Sequence, residues 1–464
     1  MRAFGFPFLL AVILTFAAAG LMLATPQSSN LSAISPAPSE SAFLMLSDIH
    51  FDPFTGTDRS IIQELASAPV EDWERILKPQ ADQPVAPDGA DTNYSLLLSA
   101  LDAARNSGVH YDYVLFTGDF LGHNFPAKYR LYGHPTGDGY ESFVVKTISF
   151  VTRVIQQVFP SVPVYAVFGN NDSLGGDYAP QDPRLLAAMQ KEWKVVGSQA
   201  KKDFLAGGYY AARHPAVANF EFIVLNTSYW SNRLDASTAS SEGSVQLKWL
   251  ATQLDELRRR HGSAAILMHV PPGIDAYASA TPGRCVSPAF FLQKPAMDSF
   301  MAIISAHRDI LRDAYAGHTH LDDFRVFADS SGMAFFQTHI APSISRDHHN
   351  RPGFEIGLYE KQTGAMVDYA AEYMVDPGNG AATKPNWKLA YDFRQDAHLE
   401  SYSPENLESL ALLIRSSDIV RKRLFQRYGT PTSAVQALAR DWRYYSCAQT
   451  EFEAAPYHSC ACPD

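Results

Sequence analysis

Cysteine is scarce in this chain: four occur in 464 residues, and none precedes Cys285. A fold stapled by many disulfides and a thiolate metal site in the first half are therefore excluded. The other three, Cys447, Cys460 and Cys462, lie close to the end of the chain. Their clustering predicts a disulfide in the tail, with Cys285 left to pair with the remaining cysteine or to stay free. A zinc knuckle is the alternative, but the C-x12-C-x-C spacing with His458 matches known ligand patterns poorly.

Positive charge is also in short supply. Lysine and arginine number 38, against 49 aspartate and glutamate residues, which gives a formal net charge of −11. An acidic surface repels phosphate polymers. Non-specific binding to nucleic acid is excluded on this ground, and we expect no nucleic-acid partner.

Long apolar runs are absent after residue 24. Before it, the chain carries one charge, Arg2, and contains the small-residue cluster Ala17-Ala18-Ala19-Gly20, which predicts a secretory signal peptide over residues 1–24. The alternative is a retained membrane anchor, because about 20 apolar residues can span a bilayer. The Ser/Pro-rich stretch 25–41 is typical of a linker. We therefore expect a secreted or periplasmic protein with no membrane span after signal cleavage.

Short apolar runs alternate with amphipathic segments between residues 42 and 375, which predicts an α/β fold with crossover helices. The runs predicted as buried strands are 43–46, 113–116, 164–168, 222–225 and 265–268. Segment 403–445 has helical periodicity and no such run. We expect one large domain over 42–375 and a helical C-terminal region with a cysteine-containing tail over 376–464.

Polar side chains that can bind metals follow the predicted strands. The segments are Ser47-Asp48-Ile49-His50, Thr117-Gly118-Asp119, Gly169-Asn170-Asn171-Asp172, His269-Val270-Pro271-Pro272-Gly273 and Ala316-Gly317-His318-Thr319-His320. The carboxyl ends of strands in an α/β sheet share one edge, where loops converge on a crevice. Several of these motifs are ordinary turn chemistry when they stand alone. Five of them in this order predict one site.

The combined set predicts a centre for two metal ions. Asp48 and His50 are two residues apart and, in extended backbone, project to the same side. Asp119 has two carboxylate oxygens with which to bridge two cations. The mixed donor set suits Zn, Mn or Fe, and its members are Asp48, His50, Asp119, Asn170, His269, His318 and His320. Two cations about 3.5 to 4 Å apart clamp a phosphoryl group and activate water, so the predicted chemistry is phosphoester hydrolysis.

In the order of its motifs from residue 43 to residue 326, the sequence resembles the calcineurin-like metallophosphoesterase family. It is similar in particular to the acid sphingomyelinase-like branch, through LSDIHFD at 46–52, GDFLGH at 118–123, QLKWL at 246–250, HVPPG at 269–273, GHTH at 317–320 and APS at 341–343. The resemblance implies a four-layer α/β/β/α sandwich. It also implies that His123 contacts the substrate phosphate and protonates the leaving group.

The same resemblance implies two zinc ions that share one carboxylate. The first would be held by Asp48, His50, Asp119 and His320. The second would be held by Asp119, Asn170, His269 and His318.

One departure from the commoner family pattern affects catalysis. Asn171 stands where the pattern Gly-Asn-His-Glu/Asp has a histidine that contacts the phosphate. Asn171 can donate a hydrogen bond but cannot carry the proton, so a general-acid role falls to His123 or the metals act alone. The Gly-Asn-Asn-Asp form also resembles vacuolar endopolyphosphatases. Asp172 has two interpretations: it orients a metal-binding histidine, or it caps the following turn.

Two sequence features that are missing narrow the choice of subfamily and substrate. Purple acid phosphatases carry an iron-binding tyrosine three residues after the aspartate that corresponds to Asp119, and that position here is Gly122. A saposin-like module needs six cysteines ahead of the catalytic region, and the first cysteine here is Cys285. Attack on membrane sphingomyelin is thus less favoured than attack on soluble phosphodiesters or nucleotides, with a lipid head group left open.

The sequence therefore predicts a secreted two-zinc phosphodiesterase similar to sphingomyelin phosphodiesterases, with Asp119, His123 and Asn171 as its catalytic residues. The alternative substrate class is a phosphoanhydride in a nucleotide or polyphosphate. A second alternative is a non-catalytic, metal-dependent binding protein, which only Asn171 suggests. Three further histidines near residues 341–343 are given no role, and these are His339, His348 and His349.

Overall fold

Two six-stranded β-sheets form the centre of the fold, and helices cover their outer faces. The computed structural model describes residues 34–234, 236–280, 287–375, 385–427 and 438–462. The predicted signal peptide, residues 25–33 of the predicted linker and Cys285 lie outside the described residues. Of the helices in the described ranges, none has the length and apolar character needed to cross a bilayer.

The strands pair into two large sheets and one small ribbon. In chain order they are β1 Glu40–Leu46, β2 Tyr111–Phe116, β3 Val164–Ala166, β4 Tyr210–Arg213, β5 Phe220–Val224, β6 Ser263–Leu267, β7 Ile274–Asp275, β8 Ala289–Phe290, β9 Leu311–Ala316, β10 Asp323–Ala328, β11 Ala334–Ile340, β12 Gly353–Glu360, β13 Met366–Val375 and β14 Asn386–Asp392. The first sheet has the order β14-β13-β12-β1-β2-β3, and the second has the order β10-β11-β9-β6-β5-β4. Strands β7 and β8 form the ribbon.

The helices lie between the strands and after them. They are α1 Arg59–Ser67, α2 Trp73–Leu77, α3 Tyr94–Arg105, α4 Phe125–Tyr132, α5 Tyr140–Val158, α6 Pro183–Glu192, α7 Lys201–Gly207, α8 Ala236–Arg259, α9 Ala276–Ser279, α10 Lys294–Ala306, α11 Phe393–Ala397, α12 Pro404–Ser416, α13 Asp418–Arg427, α14 Trp442–Ala448 and α15 Ala454–Ala461. Short 3₁₀ turns span Val70–Asp72, Lys78–Gln80 and Thr227–Trp230.

The core between the two sheets is aromatic. Phe43 on β1 stacks on Tyr113 of β2 with ring centroids 5.0 Å apart, and it meets Tyr315 of β9 in the second sheet at 5.6 Å. Tyr113 also approaches Phe222 of β5 at 5.1 Å. On the outer faces, α3 and α5 pack on the first sheet, and α8 and α10 pack on the second. The predicted α/β fold and the four-layer α/β/β/α sandwich are both confirmed.

Parallel strands bring several loops to one edge. Strands β1, β2 and β3 are parallel neighbours in the first sheet, as are β5, β6, β9 and β11 in the second. Backbone hydrogen bonds tie the loops after β1 and β2, from Asp48 N to Gly118 O at 3.1 Å and from His50 N to Asp119 O at 2.9 Å. The backbone N–H of His318, after β9, donates to Oδ2 of Asp48 at 3.0 Å. Loops of both sheets therefore meet at this edge.

The first sheet continues beyond residue 375, after which we expect only helices. Strand β14 pairs antiparallel with β13, and its Trp387 and Tyr391 are buried while Lys388 is exposed. This alternation contains no continuous apolar run, so the sequence pattern does not mark it as a buried strand. After β14 the described segments are mainly helical, and α12, whose Leu407 and Leu410 are buried, packs against β10 and β11 of the second sheet.

The C-terminal tail is closed by the disulfide that its cysteines predict. Cys447 of α14 is bonded to Cys460 of α15. Beside this bond, Ile274 and Ala276 pack into a small third core with the tail helices. The tail is therefore anchored to the loop that follows His269.

A buried carboxylate links the two sheets. Asp313 on β9 accepts a hydrogen bond from Nε2 of Gln337 on β11 at 2.5 Å. It also accepts one at 2.9 Å from the backbone N–H of Met366, which belongs to the first sheet. Burial raises the pKa of Asp313 to about 7, although these hydrogen bonds act in the opposite direction. Between about pH 4 and pH 7, the folded protein therefore keeps a proton on Asp313 that the unfolded chain releases.

Because the folded protein binds this proton more tightly than the unfolded chain does, stability should fall as the pH rises. We expect the free energy of unfolding to decrease by up to about 4 kcal/mol between about pH 4 and pH 7. Asp313→Asn cannot ionise, so its stability should depend less on pH by that amount. Denaturant unfolding of both proteins at several pH values measures the difference. Parallel pH profiles for the two proteins would contradict this interpretation.

Candidate metal centre

The predicted ligands lie in left-handed turns at the ends of strands. Asp48 and His50 have φ angles of 46° and 45°, and Asp119 has 59°. His318 and His320 have φ angles of 73° and 60°. Residues other than glycine rarely adopt this backbone, and such strain concentrates at functional sites. The expectation of extended backbone at Asp48 and His50 is therefore wrong. Their side chains do lie close together, but left-handed turns bring them there.

The first group of donor atoms combines residues from both sheets. Oδ1 of Asp48 lies 3.7 Å from Nε2 of His50 and 3.4 Å from Nε2 of His320. Nε2 of His50 lies 3.4 Å from Oδ2 of Asp119. These separations are longer than good hydrogen bonds. They suit donor atoms that each lie about 2 Å from one shared cation.

The second group shares Asp119 with the first. Oδ2 of Asp119 lies 3.2 Å from Nε2 of His269, and that nitrogen lies 2.9 Å from Oδ1 of Asn170. His318 joins Asp119 and His269 in a cluster with the spacing of metal ligands. The structure thus brings all seven predicted ligands together. Asp119 is common to both groups.

Backbone carbonyls orient two of the histidines. Nδ1 of His50 lies 2.9 Å from O of Leu121, and Nδ1 of His269 lies 2.8 Å from O of Thr117. Because a carbonyl only accepts hydrogen bonds, Nδ1 carries the proton in each neutral ring. Each Nε2 then presents a lone pair to the centre, as metal-binding histidines do.

Asp177 and Tyr178 support the second group. Nδ2 of Asn170 donates to Oδ1 of Asp177 at 2.7 Å, which leaves Oδ1 of Asn170 directed at His269. The Tyr178 hydroxyl lies 3.1 Å from Nε2 of His318. Neither Asp177 nor Tyr178 follows a predicted strand directly, so the sequence pattern misses both.

Asp172 holds the turn that carries Asp119, a role that differs from both interpretations of the sequence. It accepts hydrogen bonds of 2.8 to 3.1 Å from the backbone N–H groups of Asp119, Phe120, Leu121 and Gly169. A side chain at Gly169 would collide with this turn, because a Cβ there would lie 2.0 Å from Oδ1 of Asp119. Asp172 and Gly169 therefore fix the position of the shared carboxylate.

Opposite charges offset one another within this buried group. Burial raises the pKa of Asp119, but His269 and His50 lower it below its ordinary value. Burial lowers the pKa values of His50 and His269, but Asp119 raises them to about 10 and about 9. Both histidines are then cations at neutral pH. Divalent cations can replace their protons, so the donors present fit a pair of metal ions.

His123 lies beside the first group, with its ring stacked on that of His50 at a centroid distance of 4.1 Å. Nδ1 of His123 donates to Oδ1 of Asp91 at 2.9 Å, and Nζ of Lys128 contacts Oδ2 of Asp91 at 3.0 Å. Burial raises the pKa of Asp91, but the hydrogen bond from His123 and nearby cations lower it below its usual range. No apolar run precedes Asp91 to mark it in the sequence.

Asn171 is directed at the shared carboxylate. Its backbone N–H donates to Oδ1 of Asp119 at 2.8 Å, and its Nδ2 donates to Oδ2 at 2.9 Å. His339, by contrast, is buried in hydrogen bonds to Tyr402 and Glu355. Asn171 therefore belongs to the centre, and His339 does not.

A cleft of about 550 Å³ opens at the centre. This volume suits a small-molecule substrate. Arg233 and Asp275 contribute charges of opposite sign to its walls. Its aromatic side chains are Tyr178, Tyr277, Phe291 and Tyr445.

Residues 42–320 match the family model described as calcineurin-like phosphoesterase, which covers more than half of the chain. The chain belongs to the calcineurin-like phosphoesterase family.

Named relatives of this phosphoesterase extend the match. It is 24% identical over 395 residues to the cyclic GMP-AMP phosphodiesterase SMPDL3A of Mus musculus, over 82% of each chain. It is 22% identical over 440 residues to the acid sphingomyelinase-like phosphodiesterase 3b of Homo sapiens, over 90% of this chain and 89% of the relative. Sphingomyelinase phosphodiesterase C of Dictyostelium discoideum is 23% identical over 75% of this chain and 78% of its own. The predicted branch and enzyme class, a phosphoric diester hydrolase, are confirmed.

In this phosphoesterase, we expect Asp172→Asn to weaken metal binding by about 10- to 100-fold, because Asn keeps only one acceptor oxygen and its NH2 group would face two of the four backbone N–H groups that Asp172 binds. Metal content after dialysis against a graded series of free zinc measures the change. Asp182→Asn is the matched control, since Asp182 also accepts a backbone hydrogen bond, from Arg184 N at 2.8 Å, but starts helix α6. Equal metal affinity in the two variants would contradict the role of Asp172.

Proposed function

We propose that this phosphoesterase hydrolyses phosphodiesters with a pair of divalent metal ions, zinc above all, in an extracytoplasmic compartment. The observation that carries the proposal is the position of Asp119, whose carboxylate belongs to both groups of buried donor atoms. Paired metal ions in hydrolases lie about 3.5 to 4 Å apart, a distance that one bridging carboxylate can span.

The donor set suits zinc, because imidazole nitrogen and carboxylate oxygen are its usual ligands in catalytic sites. One ion would be held by Asp48, His50, Asp119 and His320. The other would be held by Asp119, Asn170, His269 and His318. When bound, such a pair supplies a nucleophile from water near neutral pH and neutralises charge on the phosphoryl oxygens.

His123 delivers the proton to the leaving group. Its Nδ1 is occupied by Asp91, which fixes the ring and leaves Nε2 for the departing oxygen. Asp91 is itself buried and held by Lys128, so its position is fixed before substrate arrives. His123 lines the cleft beside the first group of donor atoms and would face a phosphodiester that binds there.

Asn171 acts as a positioning residue. It donates to both oxygens of Asp119 and so holds the shared carboxylate. An amide cannot carry the proton, so proton delivery rests on His123 alone.

The cleft and the names of the relatives support a proposal for the substrate class. One relative is named for cyclic GMP-AMP, and two carry sphingomyelinase in their names; all three are named as phosphodiesterases. Aromatic side chains in the cleft offer faces to a nucleobase or to a quaternary ammonium head group. We therefore propose a soluble phosphodiester or nucleotide, with a lipid head group as a further possibility. A phosphoanhydride is the second candidate, because Asn171 gives this chain the polyphosphatase-like Gly-Asn-Asn-Asp form.

The location outside the cytoplasm is supported by the tail. Disulfides such as Cys447–Cys460 persist in oxidising compartments. The predicted signal peptide over residues 1–24 would export the chain, and an uncleaved segment would anchor it to the membrane instead.

Hydrolysis of three reporters tests the proposed function: a phosphodiester, a phosphomonoester and a phosphoanhydride, each before and after zinc is restored to chelator-stripped protein. We expect zinc-dependent cleavage, with the diester cleaved faster than the monoester. Asp119→Asn should lose bound metal and activity together, because it removes a carboxylate that both groups share. Asp102→Asn, exposed on α3, is the matched control and should keep both.

The outcomes of this experiment separate the alternatives. Preferential cleavage of the anhydride would favour the second candidate. Two bound metal ions without turnover would indicate a binding protein. Unchanged metal content and hydrolysis in Asp119→Asn would overturn the proposal.

The role of His123 is tested by varying the leaving group. His123→Gln should lower kcat by about 10²- to 10⁴-fold for an alkyl diester, whose leaving oxygen needs a proton. The loss should be much smaller for a nitrophenyl diester, because nitrophenolate departs unprotonated. Asp91→Asn should show the same dependence with a smaller loss, of about 10- to 100-fold.

The occupancy of the proposed metal pair is measured alongside and should stay at two ions per chain in both variants. His134→Gln is the control, because the His134 side chain is exposed and contacts nearby Thr136 and Asp138. Equal losses for the two leaving groups would rule out proton delivery by His123.

A further inference from the structure

Three side chains outside the proposed metal pair converge in the cleft. Oδ2 of Asp347 lies 3.6 Å from Nδ1 of His123 and 3.8 Å from Nε2 of His348. The three ligand atoms form one cluster with the spacing of metal ligands. All three residues line the cleft, and their side chains are 26%, 30% and 54% exposed for His123, Asp347 and His348.

The separations in this cluster are those of ligands, not of hydrogen bonds. Distances of 3.6 and 3.8 Å are too long for an N–H to oxygen hydrogen bond. They resemble the distances of 3.4 and 3.7 Å between Asp48 and the histidines of the first group of donor atoms. One carboxylate oxygen therefore faces two imidazoles at the same spacing in both places.

We propose that His123, Asp347 and His348 form a third, inhibitory site for a divalent metal ion of the zinc type. Two imidazole nitrogens and one carboxylate oxygen are a zinc donor set, and the exposed side leaves a position for water. The site itself stands on this geometry. Its inhibitory effect rests on the proposed function, because the ion takes Nδ1 of His123 and so removes the hydrogen bond to Asp91 that orients the proton-donating ring.

Competition makes this site weaker than the proposed pair. Nδ1 of His123 is also hydrogen-bonded to Asp91 at 2.9 Å. Metal binding at this nitrogen breaks that hydrogen bond, and the proton passes to solvent as the nitrogen–metal bond forms. The exposed His348 must also give up side-chain freedom, whereas six of the seven ligands of the proposed pair are buried.

The consequence is a two-phase response to zinc. Activity rises as the first two ions bind and falls at higher zinc, when the third ion takes His123. Activity is then low when free zinc is too scarce to fill the pair, and low again when free zinc is abundant enough to fill the third site.

Counting bound zinc by equilibrium dialysis of the purified protein over a range of free zinc tests the site without any substrate. We expect three ions per chain in the wild type, the third binding more weakly, and two in His348→Gln and in Asp347→Asn. Both residues lie at the protein surface, so two independent variants guard against a folding defect. His349→Gln is the matched control, since His349 is 53% exposed but contacts Asp88 at 3.2 Å, and it should bind three ions.

Hydrolysis measured over the same zinc range completes the experiment. The inhibitory phase should disappear in His348→Gln and in Asp347→Asn and persist in His349→Gln. A wild-type protein that binds only two ions, or a His348→Gln variant that binds three, would overturn the third site. If all reporters remain uncleaved while three ions bind, the proposed function fails and the site stands.

Discussion

Asp119 lies where the two sheets of this protein meet, and its Oδ2 lies within 3.4 Å of histidines from both. His50 comes from the loop after β1 in the first sheet, and His269 comes from the loop after β6 in the second. Burial of this carboxylate is costly unless cations or donors surround it. The left-handed turn at Asp119, the four hydrogen bonds to Asp172 and the lack of a side chain at Gly169 all keep it in place.

The main features of the centre follow from the sequence because of a rule of sheet geometry. Parallel strands end at one edge, so polar motifs that each follow a short apolar run must come close together. This reasoning brings Asp48, Asn170 and His320 to one place without any knowledge of the loops. Sheet geometry does not determine the shape of the loops. The sequence pattern predicts extended backbone at His50, whereas the structure has a left-handed turn there.

Residues that support the centre are harder to predict from the sequence. Asp91, Asp177 and Asp347 lie in loops with no apolar run before them, so nothing local distinguishes them from the other surface carboxylates of an acidic chain. Their roles arise from tertiary contacts, such as the hydrogen bond between Asp91 and His123. Strand β14 is not predicted for a related reason, because an edge strand with one buried face lacks a continuous apolar run.

Asn171 stands where the commoner family pattern has a histidine, and this difference changes which residues near the centre can carry a proton. Asn171 donates two hydrogen bonds to Asp119, and His123 is the proton donor that we propose beside the centre. A single imidazole in that role is sensitive to anything that binds it. Asp347 and His348 lie beside His123 with the spacing of metal ligands, so in our proposals the same residue would link catalysis to the supply of metal.

The most direct test of this account is a crystal structure of the zinc-loaded protein with anomalous diffraction data recorded at the zinc edge. The account predicts two anomalous peaks about 3.5 to 4 Å apart, both within bonding distance of Asp119. A catalytically active crystal with one peak, or with no peak at Asp119, would contradict it.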